Sequence, residues 1–474
     1  MKVLLINPPR ENELTGNNPA LIDESRGYNP PLGLLYLAGY LEAKTAHQVE
    51  ICDAQVEEIS YPQLGDRIRK SAPDFVGLTA MTFTLLDVIK TARLVKEISP
   101  SLPVMVGGVH AFLFPEETVN LPEIDYVLSG EGEESFALLL DRLENQGDLD
   151  TVPGLTYQKD GRICSSPAPP LCADLDSLPF PARRLTPWQK YSSVMAKRQP
   201  ITTMFTSRGC PFRCSFCARP HLGKKFRYRS AENVVDEMEE CVELGIREFL
   251  VYDDTFTVNR DRVLAVCEEI RRRKLVIGWD IRARVDCVDE EMLKQLKATG
   301  CERIHYGVEA GTEKILRVLN KGITREQARD TIALTRKIGI ETLAYFMIGS
   351  PTETREDILA TIRFALELKP DFVHITILCP FPGTAIYEQG LQEGVFPRDH
   401  WQDFAANPTP DFSPPYWNEI LSDTELQELL QLAYKKFYTR PSYLLKKTLQ
   451  VRSLREFKTK FKAGWKIFRM KNRQ

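Results

Sequence analysis

Short apolar runs alternate with amphipathic stretches along this chain, and the alternation occurs twice, which limits the available folds more than any other feature. In residues 1–148 the order is 2–7, 32–41, 49–52, 75–82, 85–98, 104–109 and 126–129. Brief apolar runs separated by helical patterns read as strands of a parallel, doubly wound α/β sheet. Such sheets bind ligands beyond the carboxyl ends of their strands. Here those ends carry Thr79 and Thr82, Gly107 and Gly108, and Gly130 and Glu131. Small residues there let a ligand reach the backbone, and the same glycines would equally serve tight strand-to-helix turns.

A length of 474 residues exceeds what one core usually organises, so two or more domains are expected. Residues 149–196 are rich in proline, including Pro167, Pro169, Pro170, Pro179, Pro181 and Pro187, and read as a linker. From Pro200 the alternation resumes. Strand-like runs end near Thr206, Asp253, Val285, Gly307, Gly349 and Leu378, with helical stretches such as 231–244, 262–273, 290–298, 325–338 and 354–368 between them. Six such units over 197–400 predict a partial TIM-like barrel with its chemistry at the strand carboxyl ends, followed by a helical C-terminal region over 401–474. A hydrophobic content of 43% and a charged content of 27% exclude a fibrous or largely disordered chain. No apolar run is long enough to span a bilayer and no secretory leader is recognisable, so the expected location is cytoplasmic. Eleven cysteines, an odd number, then argue for reduced thiols over a disulfide framework.

Three of these cysteines carry the sharpest chemical signal. The segment Ser207-Arg208-Gly209-Cys210-Pro211-Phe212-Arg213-Cys214-Ser215-Phe216-Cys217 spaces them C-x3-C-x2-C, in a loop after the first barrel strand. Three soft thiolates on one loop suit an iron-sulfur cluster. A structural zinc would want a fourth ligand, and no second Cys or His pair follows, although zinc stays open on spacing alone.

This motif resembles that of the radical S-adenosylmethionine (SAM) enzymes, including the aromatic residue before the last cysteine, Phe216. The resemblance implies that Cys210, Cys214 and Cys217 hold a [4Fe-4S] cluster whose open iron is chelated by SAM. It further implies reductive cleavage of SAM to methionine and a 5'-deoxyadenosyl radical, which takes hydrogen from the substrate, and an electron donor such as flavodoxin or ferredoxin. Later strand ends resemble the family's SAM contacts. Asp253 and Asp254 close the second strand, with helix capping as their alternative use. Arg282 and Arg284 on the third could meet a carboxylate or form a barrel ion pair. Glu309 closes the fourth, Gly349 the fifth, and residues 380–384 the sixth.

A doubly wound domain ahead of such a barrel is similar to the cobalamin-binding domain of the B12-dependent radical SAM class, through Pro30-Pro31-Leu32-Gly33 and Gly130-Glu131-Gly132-Glu133. That implies cobalamin as a further cofactor, held among Thr79, Thr82, Gly107, Gly108, Gly130 and Glu131. The Asp-x-His-x-x-Gly motif that gives many B12 proteins a histidine below cobalt is absent, and residues 1–150 contain only His47 and His110. Cobalamin would then bind without a protein histidine, the alternative being a domain kept for structure or for gripping substrate.

Charge is distributed unevenly. From Leu445 to Gln474 there are eleven lysines and arginines against Glu456 alone, a net of +10 that leaves −13 on the rest of a chain whose total is −3. Leu454, Phe457, Phe461, Trp465 and Phe468 recur at helical spacing within it, as in a basic amphipathic helix lying on a membrane surface. Packing on the acidic body is the alternative; nucleic acid is not expected. The implied activity is methylation of an unactivated carbon of a small-molecule or lipid-borne substrate. Alternatives are an oxidative cyclase or ring-rearranging reaction, as in the anaerobic cyclase of Mg-protoporphyrin monomethyl ester, and a non-catalytic sensor of cluster and cobalamin.

Overall fold

The computed structural model describes residues 1–14, 27–218, 222–441 and 443–445, so the basic stretch with Leu454, Phe457, Phe461, Trp465 and Phe468 lies outside the described residues. No helix among those described is long and apolar enough to cross a membrane.

The amino-terminal strands are β1 (Lys2–Asn7), β2 (Gln48–Asp53), β3 (Phe75–Thr79), β4 (Val104–Gly107), β5 (Tyr126–Leu128), β6 (Leu155–Lys159) and β7 (Arg162–Ser165). They form one sheet in the order β2-β1-β3-β4-β5-β6-β7, parallel through β5. Alternate residues of β1 enter two different cores. Val3 and Leu5 pack with helices Leu32–Lys44 and Glu133–Glu144, while Leu4 and Ile6 pack with Tyr61–Ser71 and Leu85–Ile98. Burial on both faces is why the strand sequence is apolar throughout, and it makes the domain α/β and doubly wound. The order reverses between β1 and β3, opening a crevice at their carboxyl ends.

The segment read as a linker is partly sheet. β6 and β7 pair antiparallel at the sheet edge, joined by Asp160 and Gly161, both with positive φ (50° and 73°). That is the hairpin geometry Asp-Gly favours, and the dipeptide is visible in the sequence between strands too short to stand out by periodicity.

A second unit begins with β8 (Ile201–Met204), then a short antiparallel ladder of β9 (Ser207–Arg208) and β10 (Arg227–Tyr228). It continues through β11 (Glu248–Val251), β12 (Gly278–Ala283), β13 (Cys301–Glu309), β14 (Glu341–Ile348) and β15 (Phe372–Ile377). β8 and β11 to β15 form a six-stranded parallel sheet in chain order, the topology of an open β/α barrel. Both edges are covered. On β15 the hydroxyls of Tyr434 and Tyr438, from helix Asp423–Tyr438, pair with the N–H and C=O groups of Ile375 and Val373 at 2.9–3.2 Å. Along β8, Arg183 donates to the Thr203 carbonyl at 2.8 Å and the Ile201 N–H donates to the Tyr191 carbonyl. Side chains and the inter-sheet stretch's backbone thus satisfy groups that further strands would otherwise have paired.

Candidate functional site

The cysteine loop leaves the carboxyl end of β8 and is fastened at several points. Gly209 turns it with φ +84°, where a Cβ would lie 2.4 Å from the Lys225 carbonyl oxygen. The Ser215 N–H donates to the Leu319 carbonyl, the Asn320 amide donates to the Arg213 carbonyl at 2.7 Å, and the Ile386 N–H donates to the Ser215 carbonyl. Cys210 Sγ lies 3.8 Å from the Thr255 hydroxyl, and Cys214 Sγ lies 3.9 Å from Arg284 Nη1. None of the three is in a disulfide. Among the described residues no trio of His, Cys, Asp or Glu gathers closely enough for a single metal ion. A four-iron cluster spreads its thiolates around a larger body than a single zinc does. Phe216 is half-buried against the barrel core, with Lys321 Nζ 5.8 Å from its ring centre.

Around this loop the barrel strands end in the residues singled out from the sequence, and their partners separate their uses. Asp253 is shut from solvent and accepts from the backbone N–H groups and hydroxyls of both Thr206 and Ser207, at 2.5–3.0 Å. It holds the strand leading to Cys210, and the following helix Arg260–Arg272 is capped by Asn259 instead. Asp254, next in the chain, is half-buried. Arg284 forks onto Asp286 with two 2.9 Å bonds, donates to the Lys321 carbonyl and stacks on Phe212 at 3.8 Å. Arg282 forms no ion pair among the described residues; it donates to the Val251 carbonyl and stacks on Tyr252 at 3.8 Å. Burial alone would make its guanidinium easier to deprotonate, but nearby Tyr345, Tyr252 and Asp280 hold it more firmly charged. Glu309 is buried with positive φ (71°) and pairs with Lys321 Nζ at 2.7 Å. Gly349 has φ +82°, and Leu426 would meet a Cβ there at 3.1 Å.

The barrel interior holds a polar group not singled out from the sequence. His305 Nδ1 lies 2.8 Å from the Tyr345 hydroxyl and its Nε2 lies 3.3 Å from Asp280; the Tyr345 ring packs edge-on against His374. Tyr252, Arg282, His305, Tyr345, Met347 and His374 keep partial exposure, whereas their outward neighbours Val251, Ile281, Ile304 and Phe346 have almost none. The lumen is therefore open to solvent. Burial lowers the pKa of both histidines, Asp280 drawing His305 partly back. The available signal is period-two polarity in Arg303-x-His305-x-Gly307-x-Glu309, on a strand whose other face is apolar.

In the first domain, Thr79 ends β3, Gly107 ends β4 and Gly108 follows it. Gly108 has φ +106°, and a Cβ would meet the Ala80 carbonyl oxygen at 2.6 Å, so the close approach requires glycine. Gly107 and Gly108 stay accessible, which suits a ligand resting on backbone. Thr82 is buried and lies 3.2 Å from His110 Nδ1. Neither histidine can reach a ligand in the crevice. His110 has no exposure, burial lowering its pKa to about 4, and His47 sits with the N-terminal amine at the opposite sheet end. Gly130 turns against Pro169. Glu131 is committed to Arg227, with bonds of 2.7 and 2.9 Å, and to Arg208 at 3.3 Å, both beyond the linker.

A family description of the radical SAM superfamily matches residues 204–365, and one of the B12 binding domain matches residues 19–140. The chain is 35% identical over 449 residues to an uncharacterized methyltransferase of Pyrococcus horikoshii, covering 94% of each. It is 31% identical to the anaerobic magnesium-protoporphyrin IX monomethyl ester cyclase of Rubrivivax gelatinosus, over 94% of this chain and 78% of the relative. The solved structure of the cobalamin-dependent SAM radical enzyme OxsB with aqua-cobalamin bound shares the fold at TM-score 0.77 and 19% identity, over 98% of this chain and 72% of that one. The radical SAM methyltransferase TsrM of Kitasatospora setae does so at TM-score 0.68 and 20% identity, over 83% and 78%. Identity at this level across nearly the whole chain, with both domains matched in the same order, makes it a member of the radical SAM superfamily, in the class that carries a B12-binding domain.

Proposed function

We propose that this enzyme methylates an unactivated carbon of a small-molecule substrate held between the open barrel and the carboxyl ends of the first sheet. The observation that carries the reading is the ion pairing of Glu131, in the loop after β5, with Arg208, two residues before Cys210. It brings the ligand-binding end of one domain against the cysteine loop of the other. When bound, the cluster with SAM supplies hydrogen-abstracting power and cobalamin supplies a transferable methyl group.

The chain's own residues would position these groups. Cys210, Cys214 and Cys217 would hold the cluster, with the Arg284 guanidinium placing positive charge beside it. Arg282 has a charge to offer the SAM carboxylate, and Asp254, Glu309 with Lys321, and Gly349 would line the rest of its seat. Thr79, Gly107 and Gly108 would receive cobalamin on exposed backbone. His305, Tyr345 and His374 would face the substrate. Met81 and Phe381, exposed apolar side chains just beyond β3 and β15, suit an apolar surface.

The test is the product ratio from SAM in anaerobically reconstituted protein supplied with cobalamin, reductant as electron donor and a cell extract as substrate source. Comparable yields of S-adenosylhomocysteine and 5'-deoxyadenosine are expected. Deoxyadenosine without S-adenosylhomocysteine would favour oxidative cyclisation, a reading supported by cyclase relatives at 31% and 32% identity.

A further inference from the structure

The contact between the two domains is built around four charged side chains, each at most 10% exposed: Glu131 from the loop after β5, Glu133 at the start of helix Glu133–Glu144, and Arg208 and Arg227 from β9 and β10. Arg227 grips both oxygens of Glu131, at 2.7 and 2.9 Å, and also donates to the carbonyls of Cys172 and Leu222. Glu131 accepts from the Cys172 N–H as well, at 2.7 Å. Arg208 bridges Glu131 and Glu133 and lies over the Tyr36 ring at 5.3 Å. Two-pronged bonds between a planar guanidinium and a carboxylate set distance and angle together.

Burying such charges contributes little net stability, because desolvation offsets most of the attraction; their best attested use is to select one register over others. Here the register selected is that of two domains. Arg208 is followed by the left-handed turn at Gly209 and then by Cys210, leaving no slack between the ion pair and the first thiolate. On the other side, Glu131 follows Gly130 at the carboxyl end of β5, beside the Gly107 and Gly108 crevice.

We propose that Glu131, with Arg208 and Arg227, is the positioning device that sets cobalamin against the iron-sulfur cluster, fixing their separation rather than touching either. This rests on the reading above that both cofactors bind. Displacements of about 1 Å can cost on the order of a hundredfold in rate, so a fixed separation has functional weight.

The experiment reads that separation directly. In the full chain, reconstituted with cluster and cobalamin and then reduced, pulsed EPR measures the dipolar interaction between the paramagnetic cluster and cob(II)alamin. Wild type is expected to give one narrow distance. Glu131→Gln is expected to broaden it and shift it to longer values, with both cofactors still bound. Arg227→Lys, which keeps the charge and loses the fork, is expected to do the same. Glu248→Gln serves as the reference, since Glu248 is buried at the amino end of β11, paired with Arg198 at the barrel end opposite the cysteine loop. It is expected to lower the melting temperature and leave the distance unchanged. A wild-type distance in both joint variants, or an equal shift in Glu248→Gln, would overturn the positioning role alone. Wild-type protein that retains no cobalamin would overturn it together with the proposed function.

Discussion

Glu353 lies just past the carboxyl end of β14, almost wholly buried, with one oxygen accepting from the Ser350 N–H at 2.9 Å and the other meeting no partner among the described residues. Burial raises its pKa to about 7, against the opposing pull of the Ser350 and Gly349 N–H groups. The folded state therefore holds a proton that the unfolded chain releases near pH 4.5. Stability contributed by this group is greatest in acid, falls as pH rises from about 4.5 through 7 and is level above, a change of up to about 3 kcal/mol. The half-buried histidines His305 and His374 have lowered values and work in the opposite direction, gaining stability as pH rises. Comparing wild type with Glu353→Gln cancels that contribution. Chemical denaturation at pH 5 and pH 8 should show the variant gaining on wild type at the higher pH, and an unchanged difference would contradict the assignment. Glu353 carried no local signal for burial, because its burial comes from the surroundings that tertiary packing supplies.

At the scale of elements, the cysteine loop depends on a backbone shape as much as on its thiols. Gly209 cannot accept a Cβ, both because φ is +84° and because the Lys225 carbonyl oxygen fills the space. Gly209→Ala is expected to lower iron and sulfide content per chain while leaving far-UV circular dichroism intact. Gly245→Ala makes the fair comparison, since its φ is +87° but no atom lies within 4 Å of a Cβ. It should cost only the left-handed strain of about 1–2 kcal/mol and keep the cluster. Equal cluster content in the two variants would remove the steric argument. The cysteine spacing was readable because its ligands are neighbours in sequence. The lumen group of Asp280, His305, Tyr345 and His374 was not, because its members come one from each of four strands and only parallel pairing brings them together. The hairpin of β6 and β7 was signalled by Asp160-Gly161, but the surrounding prolines read as linker.

Across the whole molecule, the stretch between the two sheets acts as a fastening. Arg183 reaches Glu237, Thr202 and Thr203 in the barrel, while the Tyr191 hydroxyl donates to Asp53 in the first domain at 2.8 Å. The strong charge asymmetry belongs to this scale too, because the sequence joins a basic tail of +10 to a remainder of −13. Each lysine or arginine near an anionic bilayer contributes about 1 kcal/mol, so deleting residues 450–474 should reduce sedimentation with anionic vesicles by about tenfold or more. Unchanged vesicle binding would favour a tail that rests on the body.

Strand and helix alternation, the three-cysteine motif and the glycines at strand ends were determined by the sequence, because each depends on residues close together in the chain and on backbone preferences that act locally. What Glu131 does was decided by the tertiary structure. In the sequence it belongs to a loop suited to a cofactor, yet in the fold it meets arginines 77 and 96 residues later. Desolvation and charge pairing are set by three-dimensional neighbours, so the same carboxylate can contact a ligand or join two domains according to what is packed against it.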